Sequence, residues 1–163
     1  MQRGSQRLIA AAASRQITNR KALIPEAPLL PGVIKMRVHN VEDLAVYQKA
    51  LAAADEVSAL LTRPGFSKDF DLKDQLGNSS SRVPALIAEG FEQKSDRHFA
   101  HYLYIAKGSA KESKTHLRVA QGRGHMSTSE AARLGGDYEE IKRMLTRLIE
   151  HLEREDRDNR WQN

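Results

Sequence analysis

Two pairs of side chains in this sequence have the spacing of metal ligands on a helix. His98 and His101 stand three residues apart, and Glu112 and His116 stand four apart, so each pair can project from one helix face. A transition-metal site usually needs three or four such ligands, and neither pair has a visible third. The Glu-x-x-His pairs of carboxylate-bridged diiron bundles do not occur. We therefore predict solvated surface histidines and no bound metal.

Arg118 and His125 suggest a second chemistry, the cleavage of RNA. In some helical-bundle ribonucleases an Arg holds the phosphate and a nearby His moves a proton, and here six residues separate the two. Gly122 and Gly124 lie between them, and the end of a helix explains the same residues. The chain has no Gly-rich phosphate loop and no cysteine. We predict no enzyme activity, no catalytic residue, no cofactor and no small-molecule substrate, with a helical-bundle ribonuclease as the less favoured alternative.

A row of four basic residues is the strongest candidate for a binding surface. At about 100° per residue, they fall within an arc of about 60° on one helix face. They are Lys107, Lys111, Lys114 and Arg118, which we call the basic stripe. Because like charges four residues apart repel weakly, the stripe needs anions from elsewhere. Three sources of anions stay open: acids elsewhere in the same domain that pair loosely with the stripe, carboxylates of a neighbouring subunit, and phosphates. Because of the last, we name the stripe as the candidate nucleic-acid-binding site.

The formal charge of +5 on this 163-residue chain belongs to its N-terminal segment. Residues 1–37 contain seven basic residues and one acidic residue, whereas the remainder contains 19 and 20. Three prolines between residues 25 and 31 resist helix formation, so we predict a basic tail, or a misassigned start with Met36 as the true initiator. No apolar run approaches the roughly 20 residues of a membrane span. Together with the lack of cysteine, this predicts a cytoplasmic protein with no membrane partner.

Apolar residues at steps of three and four predict four helices. The first covers about 41–62 behind Asn40 as N-cap, and the second about 71–91 with a kink near Pro84. The third and longest runs from Ser95 to Gly122. The fourth starts at Ser127 with a capping box and is interrupted at residues 135–136. The predicted inward-facing stripes are Leu44, Tyr47, Leu51, Ala54, Ser58 and Leu61; Leu72, Leu76, Val83, Ile87 and Phe91; Phe99, Tyr102, Ala106, Ala110, Ser113, Leu117 and Ala120; and Tyr138, Ile141, Leu145, Leu148 and Leu152.

Short connections between these helices predict an all-α, antiparallel up-and-down four-helix bundle over 38–157, followed by a C-terminal tail over 158–163. Small residues on the second and third helices predict a close crossing between them. Gly108 inside a helix costs about 1 kcal/mol relative to Ala, so we expect it to touch another helix. Glu89 and Glu112 lie beside the small residues, and we expect them to make buried hydrogen bonds that fix the helix register. The small residues are Ala85, Ala88, Gly90, Ala106, Gly108, Ser109 and Ala110.

Three segments carry a resemblance to a known family. They are Asp43-Leu-Ala-Val-Tyr-Gln-Lys-Ala50, Val83-Pro-Ala-Leu-Ile-Ala-Glu-Gly90 and Ile105-Ala-Lys-Gly-Ser-Ala-Lys-Glu112. In this order they are similar to the 23S ribosomal RNA intervening-sequence protein family, and residues 141–149 resemble its last helix. The resemblance covers about 41–153. It implies a bacterial four-helix bundle, commonly a homopentamer, associated with nucleic acid.

This chain departs from the family pattern at two places on the second helix. Gly77 and Asn78 follow Gln75-Leu76 where the family usually has basic residues, and Leu86 stands where it usually has Asn. The loss of bases weakens any nucleic-acid contact through this helix. We predict a self-associating, non-enzymatic protein, with RNA or DNA as its further partner, and keep a purely structural oligomeric scaffold as the alternative.

Overall fold

The computed structural model describes residues 38–161, and within this range the chain forms four α-helices and no strand. α1 spans Ala45–Leu60, α2 spans Phe70–Phe91, α3 spans Asp96–Gly122 and α4 spans Thr128–Trp161. Short 3-10 turns occupy Val41–Asp43 and Pro64–Phe66. The predicted N-terminal tail and the alternative start at Met36 lie outside the described residues. α4 continues past residue 157, at which the sequence analysis ended the bundle.

The four helices form the predicted antiparallel bundle. Helices that follow one another in sequence pack side by side, and α4 packs back against α1. The connections between helices are short, so each helix reverses the direction of the one before. None of the helices in the described range is long and apolar enough to cross a membrane.

The core of the bundle follows the predicted stripes on α2, α3 and α4. The whole α4 stripe from Tyr138 to Leu152 is buried, as are Leu72, Leu76, Val83 and Ile87 of α2. On α3 the predicted stripe is buried from Ala106 to Ala120, while Phe99 and Tyr102 near its start are half-buried. These three stripes are therefore confirmed over most of their length.

The stripe predicted for α1 is confirmed in part. Leu44, Ala54 and Leu61 are buried as predicted, but Leu51 is 43% exposed and Ser58 is also exposed. The buried face further includes Val46, Ala50, Val57 and Leu60, so it is turned away from the predicted stripe. α1 is rich in alanine, so two adjacent stripes have nearly the same hydropathy, and packing turned the two valines inward. The predicted N-cap is also displaced, because the 3-10 turn intervenes and Leu44 occupies the cap position without a side-chain bond.

The predicted interruption of the last helix is wrong. α4 runs without a break through Gly135 and Gly136, and its 34 residues make it longer than α3, with 27. Gly135 is buried, and a Cβ there would lie 3.8 Å from Cγ of Lys114. Packing along the rest of the long apolar face of α4 offsets the cost of the two glycines.

The expected close crossing of α2 and α3 occurs at Gly90 but not at Gly108. A Cβ on Gly90 would lie 2.7 Å from Cβ of Tyr102 and 2.8 Å from Cδ2 of Phe99. Gly108 is exposed, and a Cβ there would meet nothing within 4 Å. The contact predicted for Gly108 is therefore absent among residues 38–161.

A cluster of hydroxyl groups lies inside the bundle where α2, α3 and α4 meet. Ser113 Oγ donates to the carbonyl of Ser109 at 2.9 Å, and it lies 3.1 Å from Oγ of Ser79. Serines that bond to their own helix in this way are tolerated in a helix interior. Tyr138 of α4 is fully buried, and its hydroxyl has no hydrogen-bond partner among the residues that the structure describes.

Candidate nucleic-acid interface

The basic stripe lies on α3, which the sequence positions by signals at both ends. Ser95 Oγ accepts a hydrogen bond from the backbone N–H of His98 at 3.3 Å, as an N-cap does. The helix ends at Gly122, and Gly124 follows with a φ of 77°, a conformation that favours glycine. Both predicted ends of this helix are therefore confirmed. The buried small residues on its inner side turn the stripe outward.

Two members of the basic stripe already interact within the chain. Lys114 is half-buried, and its Nζ lies 2.8 Å from Oε2 of Glu139 on α4. Lys142 also contacts Glu139, at 3.2 Å, and the two lysines lower the pKa of this carboxyl group. Lys107 is half-buried, with its ammonium 5.9 Å from the ring centre of Tyr104. For Lys114 the anion is therefore an acid of the same bundle, one of the alternatives that the sequence left open.

The other two members, Lys111 and Arg118, are exposed. In the part of the chain that the structure describes, neither makes a salt bridge. They lie seven residues apart, which is two helical turns or about 10 Å. This spacing leaves two free cations on one side of α3, available to an anion from outside the chain.

Tyr104 borders the stripe and ties it to α4. Its hydroxyl donates to Oε1 of Glu153 at 3.0 Å, and this bond to a carboxylate raises the pKa of Tyr104. Half of the side chain remains exposed. A half-exposed aromatic ring beside free cations can stack on a base or pack against a protein surface.

The outer face of α2 carries acids, a feature that the sequence analysis missed. Asp71, Asp74, Glu89 and Glu92, which we call the acidic face of α2, are all exposed, and none of them makes a salt bridge within residues 38–158. At about 100° per residue these four positions fall within an arc of about 60°, so they share one side of the helix. The same periodicity test that found the basic stripe would have found them.

Glu89 and Glu112 do not make the buried hydrogen bonds expected of them. Both are exposed, and Glu112 lies 3.7 Å from Nε2 of His116. Side chains of charged residues are seldom buried without a partner, and in this bundle the close crossing at Gly90 leaves no room for one between α2 and α3. That prediction is wrong.

The histidines offered as metal ligands stand apart from any larger cluster. Across residues 38–161 no group of three or more His, Asp or Glu residues is placed to hold a metal ion. His98 and His101 are exposed, and Nδ1 of His98 lies 2.7 Å from Oγ of Ser95. The pairs therefore have the geometry of surface residues.

His125, the candidate proton carrier, connects the loop after α3 to Asp69, the residue before α2. Its Nε2 lies 2.7 Å from Oδ2 of Asp69, and its ring packs 4.8 Å from that of the buried Phe66. Arg123 donates to both oxygens of Asp69, at 2.7 and 2.9 Å. Hydrogen bonds from Arg123 and then from His125 lower the pKa of Asp69. Arg118 makes no hydrogen bond with His125, so the structure does not assemble the pair that RNA cleavage would need.

Among solved structures, the chain is similar in fold to a protein of unknown function from the S23 ribosomal protein family of Bacteroides thetaiotaomicron VPI-5482, with a TM-score of 0.60 and 23% sequence identity. The match covers 64% of this chain and 98% of that chain. No curated protein matches the sequence.

The family is established by a sequence comparison. Residues 42–147, which include α1, α2, α3 and most of the core stripe of α4, match the family model described as 23S rRNA-intervening sequence protein. The matched range is more than half of the chain and contains all three segments that suggested the resemblance. The chain therefore belongs to the 23S rRNA-intervening sequence protein family.

Proposed function

We propose that this protein acts by assembly, as a self-associating four-helix bundle without a catalytic site. The observation that supports this most directly is the contrast between its surfaces. Salt bridges join α1 to α4 through Lys49 and Asp137 at 2.9 Å, and α3 to α4 through Lys114 and Glu139. Within residues 38–158, by contrast, the acids of the acidic face of α2 and the bases Lys111 and Arg118 of α3 make no salt bridge. A homopentamer is the assembly that the family resemblance implies, and a cytoplasmic location stays a prediction of the cysteine-free sequence.

Sedimentation velocity of the full chain tests self-association. At about 50 μM protein and low salt we expect a single oligomeric species whose mass is a whole multiple of the 18.3 kDa chain. A monomer under these conditions would reject the proposal. Light scattering on the same samples gives the mass independently of shape.

Phosphate binding is a second candidate function, supported by the exposure of Lys111 and Arg118. The bundle itself carries almost no net charge, so such binding would depend on local cations and on repetition in an oligomer. An RNA of mixed sequence, single-stranded or duplex, should then bind with an affinity that falls steeply with salt.

Charge reversal tests this second candidate. Replacing Lys111 and Arg118 by Glu should abolish RNA retention in a gel shift, or lower the slope of log K against log salt by about two. The matched control reverses Arg147 and Arg154 on the exposed side of α4, with the same change in net charge. RNA binding that is equal in both variants, or absent in the parent chain, would argue against phosphate contacts on α3.

A further inference from the structure

We infer that the outer face of α3 docks on the acidic face of α2 in a second copy of the same chain. This inference rests on the proposed self-association and names the surfaces that carry it. The outer face of α3 consists of exposed residues at steps of three and four. These are Arg97, His101, Tyr104, Gly108, Lys111, Thr115 and Arg118.

Contacts inside the bundle fix the relative height of residues on α2 and α3. Ser79 of α2 meets Ser113 of α3 near the middle of α2, and a Cβ on Gly90 would lie 2.7 Å from Cβ of Tyr102 near the end of α2. The two helices run in opposite directions. A residue that precedes Ser79 by some number of positions is therefore level with the residue that follows Ser113 by the same number.

Opposite charges fall at equal or similar heights on these two faces. Asp74 precedes Ser79 by five residues, and Arg118 follows Ser113 by five, so these two are level. Glu92 follows Gly90 by two residues and is level with Ala100, so Arg97 lies three residues, or about 4.5 Å, from its level. Each end of the acidic face of α2 thus has a free base of α3 at its level or within one helical turn of it.

Rotation about an axis parallel to the bundle leaves these heights unchanged. In a ring built around such an axis, α2 of one copy would meet α3 of the next copy with Asp74 level with Arg118 and Glu92 within one helical turn of Arg97. The contact is heterologous, because each copy offers one face and accepts the other. Neighbouring corners of a four-helix bundle point about 90° apart, and heterologous contacts at about 90° to 108° close into rings of four or five copies.

The middle of the two faces brings small residues near an aromatic ring. Tyr104 follows Tyr102 by two residues and is level with Ala88, and the exposed Ala85 lies within one helical turn of that level. A small exposed residue thus lies close in height to a half-exposed aromatic ring. Gly108 lies one turn further along α3 with open space above its backbone, and a helix from a second copy would supply the contact that the described residues do not make. Arg82, a base on this side of α2, is level with Ala110, so the acids of the α2 face lie at its two ends and not in its middle.

A charge-swap series tests the docking in the full-length protein. Arg97→Glu with Arg118→Glu makes the α3 face acidic, and Asp74→Lys with Glu92→Arg makes the α2 face basic. Each double variant should weaken assembly at least 100-fold in sedimentation velocity, because like charges then meet at both ends of the contact. Arg147→Glu with Arg154→Glu is the control for net charge and should assemble as the parent chain does.

Rescue distinguishes docking from general charge effects. The chain with all four substitutions, and an equimolar mixture of the two double variants, should recover assembly because opposite charges face each other again. Circular dichroism identifies unfolded variants, and for any that unfold the single pair Glu92→Arg and Arg97→Glu replaces them. Both of these changes suit the helix ends at which they lie.

The outcomes separate this inference from the proposed function. A parent chain that stays monomeric rejects both. A parent oligomer that the double variants leave intact, or that the four-residue swap fails to restore in a folded protein, overturns the α2–α3 docking alone. Loss of RNA binding without loss of assembly in the Arg97 and Arg118 variant would assign the α3 face to phosphate and reject the docking.

Discussion

Replacing Tyr138 by Phe should make the bundle more stable. The Tyr138 side chain is fully buried, and within the described residues its hydroxyl has no hydrogen-bond partner. Ser113 and Ser80 lie close enough to lower its pKa, but each has one hydroxyl hydrogen. Ser113 donates it to the carbonyl of Ser109 and Ser80 to that of Gly77, and in the described range no bond of normal geometry reaches Tyr138. A buried, unsatisfied polar group costs about 1–3 kcal/mol. Removing the hydroxyl while keeping the ring should therefore raise the free energy of unfolding by about 1 kcal/mol.

Urea denaturation followed by circular dichroism measures this change, and thermal unfolding should show a rise in Tm of about 4 °C. Ser113→Ala is the matched control, because it also removes one buried hydroxyl, but one with two partners. That variant should lose about 1 kcal/mol. The two substitutions, at neighbouring positions in one cluster, should therefore change the free energy of unfolding in opposite directions.

The alkaline pH dependence gives an independent measure of the same environment. Burial raises the pKa of Tyr138 to about 12, against 10.0 for an exposed tyrosine. The folded state therefore keeps its proton at a pH at which the unfolded chain has lost it, so stability falls as pH rises from 10 towards 12. At about 1.4 kcal/mol per pKa unit, the parent should lose about 2–3 kcal/mol relative to the Phe variant. A Phe variant less stable than its parent by 1 kcal/mol or more at neutral pH would show that the hydroxyl is bonded, and would refute the reasoning.

Three further predictions concern the helix crossing, the outer face of α3 and the start of α4. Gly90→Ala should cost about 2–3 kcal/mol in urea denaturation, since the new methyl group would overlap Tyr102 and Phe99; an unchanged midpoint would contradict the close crossing. Gly108→Ala should stabilise a monomeric form by up to about 1 kcal/mol yet weaken the oligomer in sedimentation, and stronger assembly would count against docking at this position. Bonds from Arg63 and then Ser127 lower the pKa of Glu130 from 4.5 to about 2, so the stability they provide is present above pH 4.5 and is lost as pH falls towards 2. Glu130→Gln should flatten this acid dependence in thermal scans, and an unaltered profile would show that the bonds do not persist in solution.

The sequence predicted the helix faces best where polar and apolar residues contrast most. On α4 the leucine and isoleucine stripe is flanked by charged residues, so only one orientation buries it, and the structure has that orientation. On α1 the alanines give almost no difference in hydropathy between adjacent stripes, and only half of the predicted stripe is buried. Packing against α2 and α4 chose the stripe with Val46 and Val57, and that choice depends on contacts between helices distant in sequence.

The sequence placed the basic stripe on the third helix, where the structure has it. It did not reveal the acids with which the stripe interacts. The tests applied to the sequence compared charges three or four residues apart along one helix. Glu139 lies 25 residues from Lys114 and reaches it from α4, across the groove between two helices. The hydrogen bond between Asp69 and His125 joins residues 56 positions apart in the same way. Interactions of this kind follow from helix order and register, which a periodicity test along a single helix does not contain.

The partial neutralisation of the basic stripe changes what the rest of it can bind. With Lys114 paired to Glu139 and Lys107 turned towards Tyr104, the free cations of α3 are no longer a dense row but are separated by two or more turns. A polyanion gains most from closely spaced cations, whereas a helix with acids at matching heights gains from separated ones. The acidic face of α2 has that wide spacing, with two acids near each end and a small residue between them. The internal salt bridge to Glu139 therefore favours carboxylates of a second copy over phosphates as the anions that meet Arg97 and Arg118.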